Sequence, residues 1–205
     1  IFAHAPIACI HNPSVGREKQ LSEERIVKVV RKRNVAVVGA GPAGLRAALT
    51  AQARGHQITL IERTSELGGQ VAWMSRVQSA RELADTTGWL IAQLRDTPVQ
   101  IYRESEATAA LIGEGGFDAV VVATGAVPLR HGWSPLRPAL WGGPAMKGTD
   151  APWVHDYGSV LGAAEPLRDA SINTRTGRAV VIDTLGARQG VLTAEYLARK
   201  GWQVE

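Results

Sequence analysis

A single cysteine, Cys9, stands in the 205 residues, so no disulfide can close within the chain. Nothing in that scarcity argues against a reducing compartment, and a cytoplasmic location is the expectation. Long apolar runs are missing too. No stretch approaches the roughly 20 residues that cross a bilayer, and no N-terminal segment has the layout of a secretory leader, so no membrane partner is expected. Aromatic residues are scarce, at 5%, and this bears on the formal net charge of +4. Such a charge could suit nucleic acid, but the only tight basic run is Arg31-Lys32-Arg33, and no aromatic ring is interleaved with it to stack on bases. A solvated linker fits that run better, and no nucleic-acid partner is expected. An initial methionine is also lacking. The chain opens at Ile1 and stops at Glu205, inside what reads as a strand, as expected of a piece of a longer polypeptide.

What is present is ordinary globular material, 45% hydrophobic and 20% charged, arranged in a recognisable order. Residues 1–33 read as an irregular lead-in followed by a short amphipathic helix, Glu23 to Val30. Val35-Ala36-Val37-Val38 is a short, β-branched apolar run bounded by glycines, which fits a buried parallel strand. Pro42 to Arg54 is rich in alanine and predicts a helix, closed by Gly55. Ile58 to Ile61 gives the next strand. Strand, glycine turn, helix and strand make one βαβ unit. Farther on, Arg81 to Arg95 predicts an amphipathic helix, and Val99 to Tyr102 and Ala119 to Ala123 predict strands. Residues 129–175 have too little periodicity to assign. A shift of 146 positions carries Gly44 onto Gly190 and Gly55 onto Gly201. Val35 to Ile61 therefore overlays Val181 onward, with a helix from Val191 to Lys200, and a second βαβ unit is expected.

The turn of the first unit, Gly39-Ala40-Gly41-Pro42-Ala43-Gly44, carries the chemistry. Gly39 permits the tight turn, Gly41 lets backbone approach a pyrophosphate, and Gly44 lets the helix pack closely on the strand. The helix then offers its N-terminal N–H groups and positive dipole end to phosphate. Glu62 ends the second strand, where a carboxylate can accept from both ribose hydroxyls; that needs a free 2′-OH, so ADP-ribose without a 2′-phosphate is implied. Glu66-Leu67-Gly68-Gly69-Gln70 offers close backbone contact to a flavin-side phosphate or ribityl chain, and Ala123-Thr124-Gly125 frees the backbone at a strand end. Together these favour FAD over NAD.

The stretches VAVVGAGPAGLRAA, TLIERTSELGGQ and VVVATGAVP resemble the FAD- or ADP-binding domain of flavin disulfide-reductase-like proteins. Cys9-Ile10-His11-Asn12-Pro13-Ser14-Val15-Gly16-Arg17-Glu18 narrows this, because it is similar to a junction in the trimethylamine dehydrogenase and 2,4-dienoyl-CoA reductase family of the NADH:flavin oxidoreductase group. The likeness runs from about Pro6 to Pro128 and again from Gly177 to Glu205, and is nearest to members that demethylate N-methylated amines or N-methylproline. The resemblance implies an FMN-binding barrel and a [4Fe–4S] cluster in the whole protein, with Cys9 matching the last of four cluster cysteines and His11 structural. It also implies that Arg63 flanks the adenine and that Ala107 joins Gly39, Gly41, Gly44, Glu62, Gly68, Gly69, Gln70, Ala123, Thr124 and Gly125 around FAD, or ADP in its place. The missing barrel, an electron-transfer partner and a homo-oligomer of the whole protein follow as expected partners.

The expected organisation is a linker over 1–33, an α/β Rossmann-like FAD/ADP-binding domain over 34–130, an unassigned connection over 131–175, and the start of a second nucleotide-fold domain over 176–205. None of the site residues is read as a catalytic acid, base or nucleophile, so this portion is expected to hold a cofactor and no substrate-converting group. At the shift of 146, Leu185 faces Gly39 and Ala187 faces Gly41. A Cβ at the second position crowds a pyrophosphate, which makes NAD(P)H binding there doubtful and favours the amine-oxidising branch. Two alternatives stay open: an NAD(P)H-dependent enoate or dienoyl-CoA reductase, and a non-catalytic ADP-holding scaffold or electron-transfer docking module.

Overall fold

The computed structural model describes residues 7, 9, 11–128, 147–162, 177–183 and 186–205. Two compact units divide the chain, one made of residues 1–69 and 84–125, the other of residues 70–83 and 126–205.

The first unit is built on a four-stranded parallel sheet in the order β3-β2-β1-β4, with β1 at Asn34–Val38, β2 at Gln57–Ile61, β3 at Gln100–Tyr102 and β4 at Ala119–Val122. Between β1 and β2 runs α2, Pro42–Ala53, with proline at its start, where the missing N–H costs nothing, and Gly55 beyond its end at φ +96°. Helix α4, Leu83–Arg95, precedes β3, and α5, Ala109–Glu114, precedes β4 with Thr108 as its N-cap. Val35, Ala36 and Val37 of β1 are all buried, as a central parallel strand covered on both faces requires. Leu45 and Ala48 of α2 and Leu90 and Leu94 of α4 pack on Val35, Val37, Ile58 and Leu60. Each fully buried leucine there contributes about 1.5–3 kcal/mol.

Strand order locates the site. The chain steps outward from β1 to β2 to β3, then crosses back to place β4 on the other side of β1. That reversal opens a crevice beyond the carboxyl ends of β1 and β4, where open α/β sheets bind ligands.

The lead-in departs from expectation. Its helical pieces are α1, Glu18–Leu21, and a single 3-10 turn, Glu23–Arg25, while 26–33 forms no regular element and bends at residues 30 and 31. Ile26, Val27, Val29 and Val30 are β-branched and lose side-chain freedom in a helix, and the Val29 N–H is held by the Arg54 carbonyl at 2.9 Å. The helix expected from Arg81 starts at Leu83, after a 3-10 turn at Gln78–Ala80.

The second unit contains most of α3, Gly69–Met74, then α6, Tyr157–Leu161, α7, Arg188–Arg199, and the parallel pair β5, Arg178–Ala179, with β6, Gln203–Val204. Val77, Ala80, Val160, Leu161, Leu192 and Leu197 form its core. The expected second βαβ unit is there, its helix beginning at Arg188, three residues before the expected Val191. Shifted by 146, α2 coincides with α7 end to end. The strands do not follow the same shift. Asn34 pairs with Gln57, a separation of 57 − 34 = 23, whereas Arg178 pairs with Gln203, a separation of 203 − 178 = 25. The connection from β5 to α7 is therefore two residues longer than that from β1 to α2. By register, the residue at the place of Gly39 is Asp183. Leu185, which the uniform shift set there, lies outside the described residues.

Candidate functional site

At the end of β1, Gly39 turns the chain at φ +98° with its N–H on the Ile61 carbonyl at 2.8 Å. A Cβ on Gly39 would sit 2.4 Å from the Ala123 carbonyl oxygen, so β4's end passes directly against the turn. A Cβ on Gly44 would lie 1.8 Å from the Gly39 oxygen. Both glycines are thus demanded by the protein's own packing.

Gly41 differs. Its φ of −70° suits any residue, and a Cβ there would meet nothing within 4 Å. Neither backbone strain nor a protein neighbour requires glycine at 41; what its missing side chain preserves is open space in front of the first turn of α2. There Pro42 has no N–H, Gly41 supplies no side-chain cap, and the first N–H groups of any α-helix lack an intrahelical acceptor. Space and donors fit a diphosphate.

Glu62, 8% exposed, follows β2. Its Oε2 accepts the Ala40 N–H at 2.8 Å, and its Oε1 accepts both the N–H and the hydroxyl of Thr64 at 2.9 Å. A carboxylate offers about four acceptor positions. Two are taken by backbone N–H groups, and the single Thr64 hydroxyl proton is shared between Glu62 Oε1 and the Glu66 carbonyl, both at 2.9 Å, so Glu62 keeps one to two positions for ribose hydroxyls. Thr64 was not singled out from the sequence; the signal available was a hydroxyl two residues beyond a carboxylate, a spacing that lets it bond back.

Gly68 is buried at φ +108°, its N–H on the Ala40 carbonyl at 2.8 Å, and a Cβ on Gly69 would approach Gly41 Cα to 3.1 Å. The double glycine therefore abuts the phosphate turn. Ala123 donates its N–H to Val38 at 2.8 Å, while Thr124 and Gly125, at φ +77°, are exposed beyond it. Arg63 is exposed. Ala107 is half-buried, two residues past Ser105, whose N–H reaches the Glu62 carbonyl at 2.9 Å. Gln70 falls in the second unit, where its amide bonds Ala126 and Tyr157. Cys9 is exposed, and no group of three or more metal-ligating side chains forms among the described residues, so its ligand role rests on resemblance alone. A cavity of about 640 Å³ lined by Val29, Arg33, Val35, Ala51 and Val121 lies toward the amino ends of β1 and β4 and is no part of this site.

Residues 34–107 match the family described as FAD dependent oxidoreductase. The whole chain aligns at 33% identity with the NADH oxidase of Thermoanaerobacter brockii, covering 28% of it, and 83% of the chain aligns at 36% with a probable N-methylproline demethylase of Rhizobium meliloti (strain 1021), covering 26%. Among solved structures, a 2-naphthoyl-CoA reductase complex superposes over the whole chain with a TM-score of 0.80 at 28% identity, covering 27% of that protein. This chain belongs to the trimethylamine dehydrogenase and 2,4-dienoyl-CoA reductase family of flavoenzymes. It is homologous to flavin-dependent oxidoreductases and carries their FAD-binding Rossmann-like fold. The chain spans about a quarter of the length of these relatives, whose names cover an oxidase, a demethylase and a reductase. No helix among the described residues is long and apolar enough to cross a membrane.

Proposed function

We propose that this chain is the FAD- or ADP-holding part of a cytoplasmic flavin and iron–sulfur oxidoreductase that demethylates N-methylated amines. Gly39, Ala40, Gly41, Pro42, Ala43 and Gly44 would cradle the diphosphate, Glu62 would accept from the adenosine ribose, Arg63 would flank the adenine, and Gly68, Gly69, Gln70, Ala107, Ala123, Thr124 and Gly125 would line the rest. FAD, when bound, supplies a reversible electron acceptor. The protein's part is to orient it: Thr64 and the Ala40 N–H hold the Glu62 carboxylate in place, and the double glycine lets backbone approach. In the whole protein, an FMN barrel, a cluster that includes Cys9, a homo-oligomeric assembly and an external electron-transfer partner complete the reading.

The amine branch is carried by one observation, the carboxylate in the second turn. Asp183 stands at the place of Gly39, with its Oδ1 on the Gly186 N–H at 3.0 Å and its side chain against Gly190, where a Cβ would come within 2.7 Å of it. A carboxylate beside the start of α7 places like charge where a dinucleotide's phosphates would lie and works against the helix's positive end. Without NAD(P)H, electrons enter from the organic substrate. The NADH oxidase and naphthoyl-CoA reductase relatives favour the second reading, an NAD(P)H-fed reductase.

The test is a visible spectrum of the purified protein, followed by mass identification of what denaturation releases. Released FAD supports a redox-active module, and failure of NADPH to bleach it in the full-length protein, while an N-methylated amine does so, supports the amine reading. Bleaching by NADPH overturns it. Released ADP without flavin turns this chain into a scaffold around an unreactive nucleotide.

A further inference from the structure

The residues that hold the Glu62 carboxylate all belong to the first unit, and one of them has a choice of acceptor. Thr64 carries a single hydroxyl proton. Its Oγ1 lies 2.9 Å from Glu62 Oε1 and 2.9 Å from the Glu66 carbonyl oxygen, and both can accept. One proton cannot serve both at full strength. A hydroxyl rotates about its C–O bond, so the proton passes from one acceptor to the other with no heavy atom displaced.

The backbone around this hydroxyl is fixed. The Thr64 N–H stays on Glu62 Oε1 at 2.9 Å whichever way the hydroxyl points. Beyond the end of β3, the Ser105 N–H reaches the Glu62 carbonyl at 2.9 Å, and the Glu104 N–H reaches the Thr64 carbonyl at 3.1 Å. Glu104 takes φ +54° at this clasp, a left-handed conformation uncommon for a residue with a side chain. The hydroxyl is the group left to turn.

The capacity of Glu62 follows it. The Ala40 and Thr64 N–H groups occupy two of about four acceptor positions. With the hydroxyl on Glu62, about one position remains; with it on Glu66, about two remain, as many as the paired hydroxyls of a ribose need. The carboxylate borders the glycine turn through the Ala40 N–H at 2.8 Å. Gly68, in the loop that contains Glu66, bonds the Ala40 carbonyl at 2.8 Å. The second acceptor therefore sits in the loop that abuts the same turn.

We propose that Thr64 is a positioning residue for nucleotide binding: its hydroxyl turns from Glu62 to the Glu66 carbonyl when an adenosine ribose arrives, and turns back when a ribose hydroxyl is missing. This rests on the proposed reading of Glu62 as the ribose acceptor. Its consequence is a muted response to the ribose. A ligand lacking one hydroxyl leaves an acceptor position on Glu62 that Thr64 refills. Without the Thr64 hydroxyl, the same ligand leaves that position of a buried carboxylate unmet, which costs more.

The experiment titrates the purified protein, stripped of nucleotide, with ADP, 2′-deoxy-ADP and 3′-deoxy-ADP by calorimetry. Wild type, Thr64→Val and Thr64→Ser are compared. Valine keeps the N–H and a similar shape but removes the hydroxyl, and serine restores it. For at least one analogue, the ratio of ADP affinity to analogue affinity rises about 5-fold in Thr64→Val, the scale of one hydrogen bond. It returns to the wild-type value in Thr64→Ser. Loss of a merely structural contact weakens all three ligands alike and leaves the ratios unmoved. Unchanged ratios for both analogues overturn the proposal. A second readout needs no variant: in the wild type, ADP shifts the Glu66 carbonyl carbon resonance and that analogue shifts it less. A Glu66 resonance indifferent to bound ADP overturns the proposal and leaves the nucleotide reading standing. A wild type that binds no ADP overturns that reading, and the proposal with it.

Discussion

Two strand-to-helix turns in this chain start from similar sequence and end in different chemistry. At the first, Gly39 to Gly44, the third glycine packs on the backbone carbonyl of the first, and the space before Gly41 stays open. At the second, Asp183 to Gly190, the connection is two residues longer, and the room left by Gly190 is filled by the Asp183 side chain. Both helices begin with N–H groups that have no intrahelical acceptor and with a positive dipole end. The first leaves that end open, while the second sets a carboxylate of its own beside it. A glycine in the third position thus has two uses, close packing on backbone or accommodation of an anion, and only its neighbour tells which.

The largest effect that tests this contrast is at Gly44. Gly44→Ala drives a methyl into the Gly39 carbonyl and should cost about 3 kcal/mol, at the upper end of overpacking, with loss of nucleotide binding. Thermal denaturation and ligand content check it; a stable, ligand-bound variant breaks the packing half of the comparison. Next comes Glu62→Gln. It removes the charge from the acceptor of the Ala40 N–H and should cost about 1.5–3 kcal/mol of stability and weaken ADP binding, measured by denaturant titration and calorimetry. Gly41→Ala should do something different in kind. With nothing within 4 Å, stability moves by less than about 1 kcal/mol, while ADP affinity falls at least about tenfold. Equal affinity would show that the open space is not the phosphate site. The smallest effect is at Gly190→Ala, about 1 kcal/mol, since a side chain yields where backbone does not. Asp183→Gly in the same chain should recover most of that loss, and no recovery would detach Asp183 from the turn.

Much of the first unit was legible from local pattern. The β-branched run before Gly39 became β1, the alanine-rich stretch after Pro42 became α2, and Gly55 ended it, because strand burial, helix propensity and a left-handed C-cap are each encoded within a few residues. Local pattern misled at Glu23–Val30, where helical periodicity met β-branched side chains and a backbone bond to Arg54 prevailed. The shift of 146 located α7 correctly, yet it misplaced the strand, since glycine spacing carries no information on register. Among the site residues, the steric demand at Gly39 and Gly44 was readable, while the engagement of Glu62 by Thr64 and Ala40 was not.

The sequence by itself determined that a strand, a glycine turn and a helix stand in nucleotide-binding order, twice, with an acidic residue closing the first unit. Those are short-range facts of conformational freedom and hydrophobic period. Only the tertiary structure decided that β4 returns beside β1 to face the first turn, that Asp183 occupies the second, and that Tyr157 holds Gln70. The reason is physical: register and distant side-chain pairs are settled by how whole elements pack, and a two-residue difference in one connection is enough to put a carboxylate where a glycine was expected.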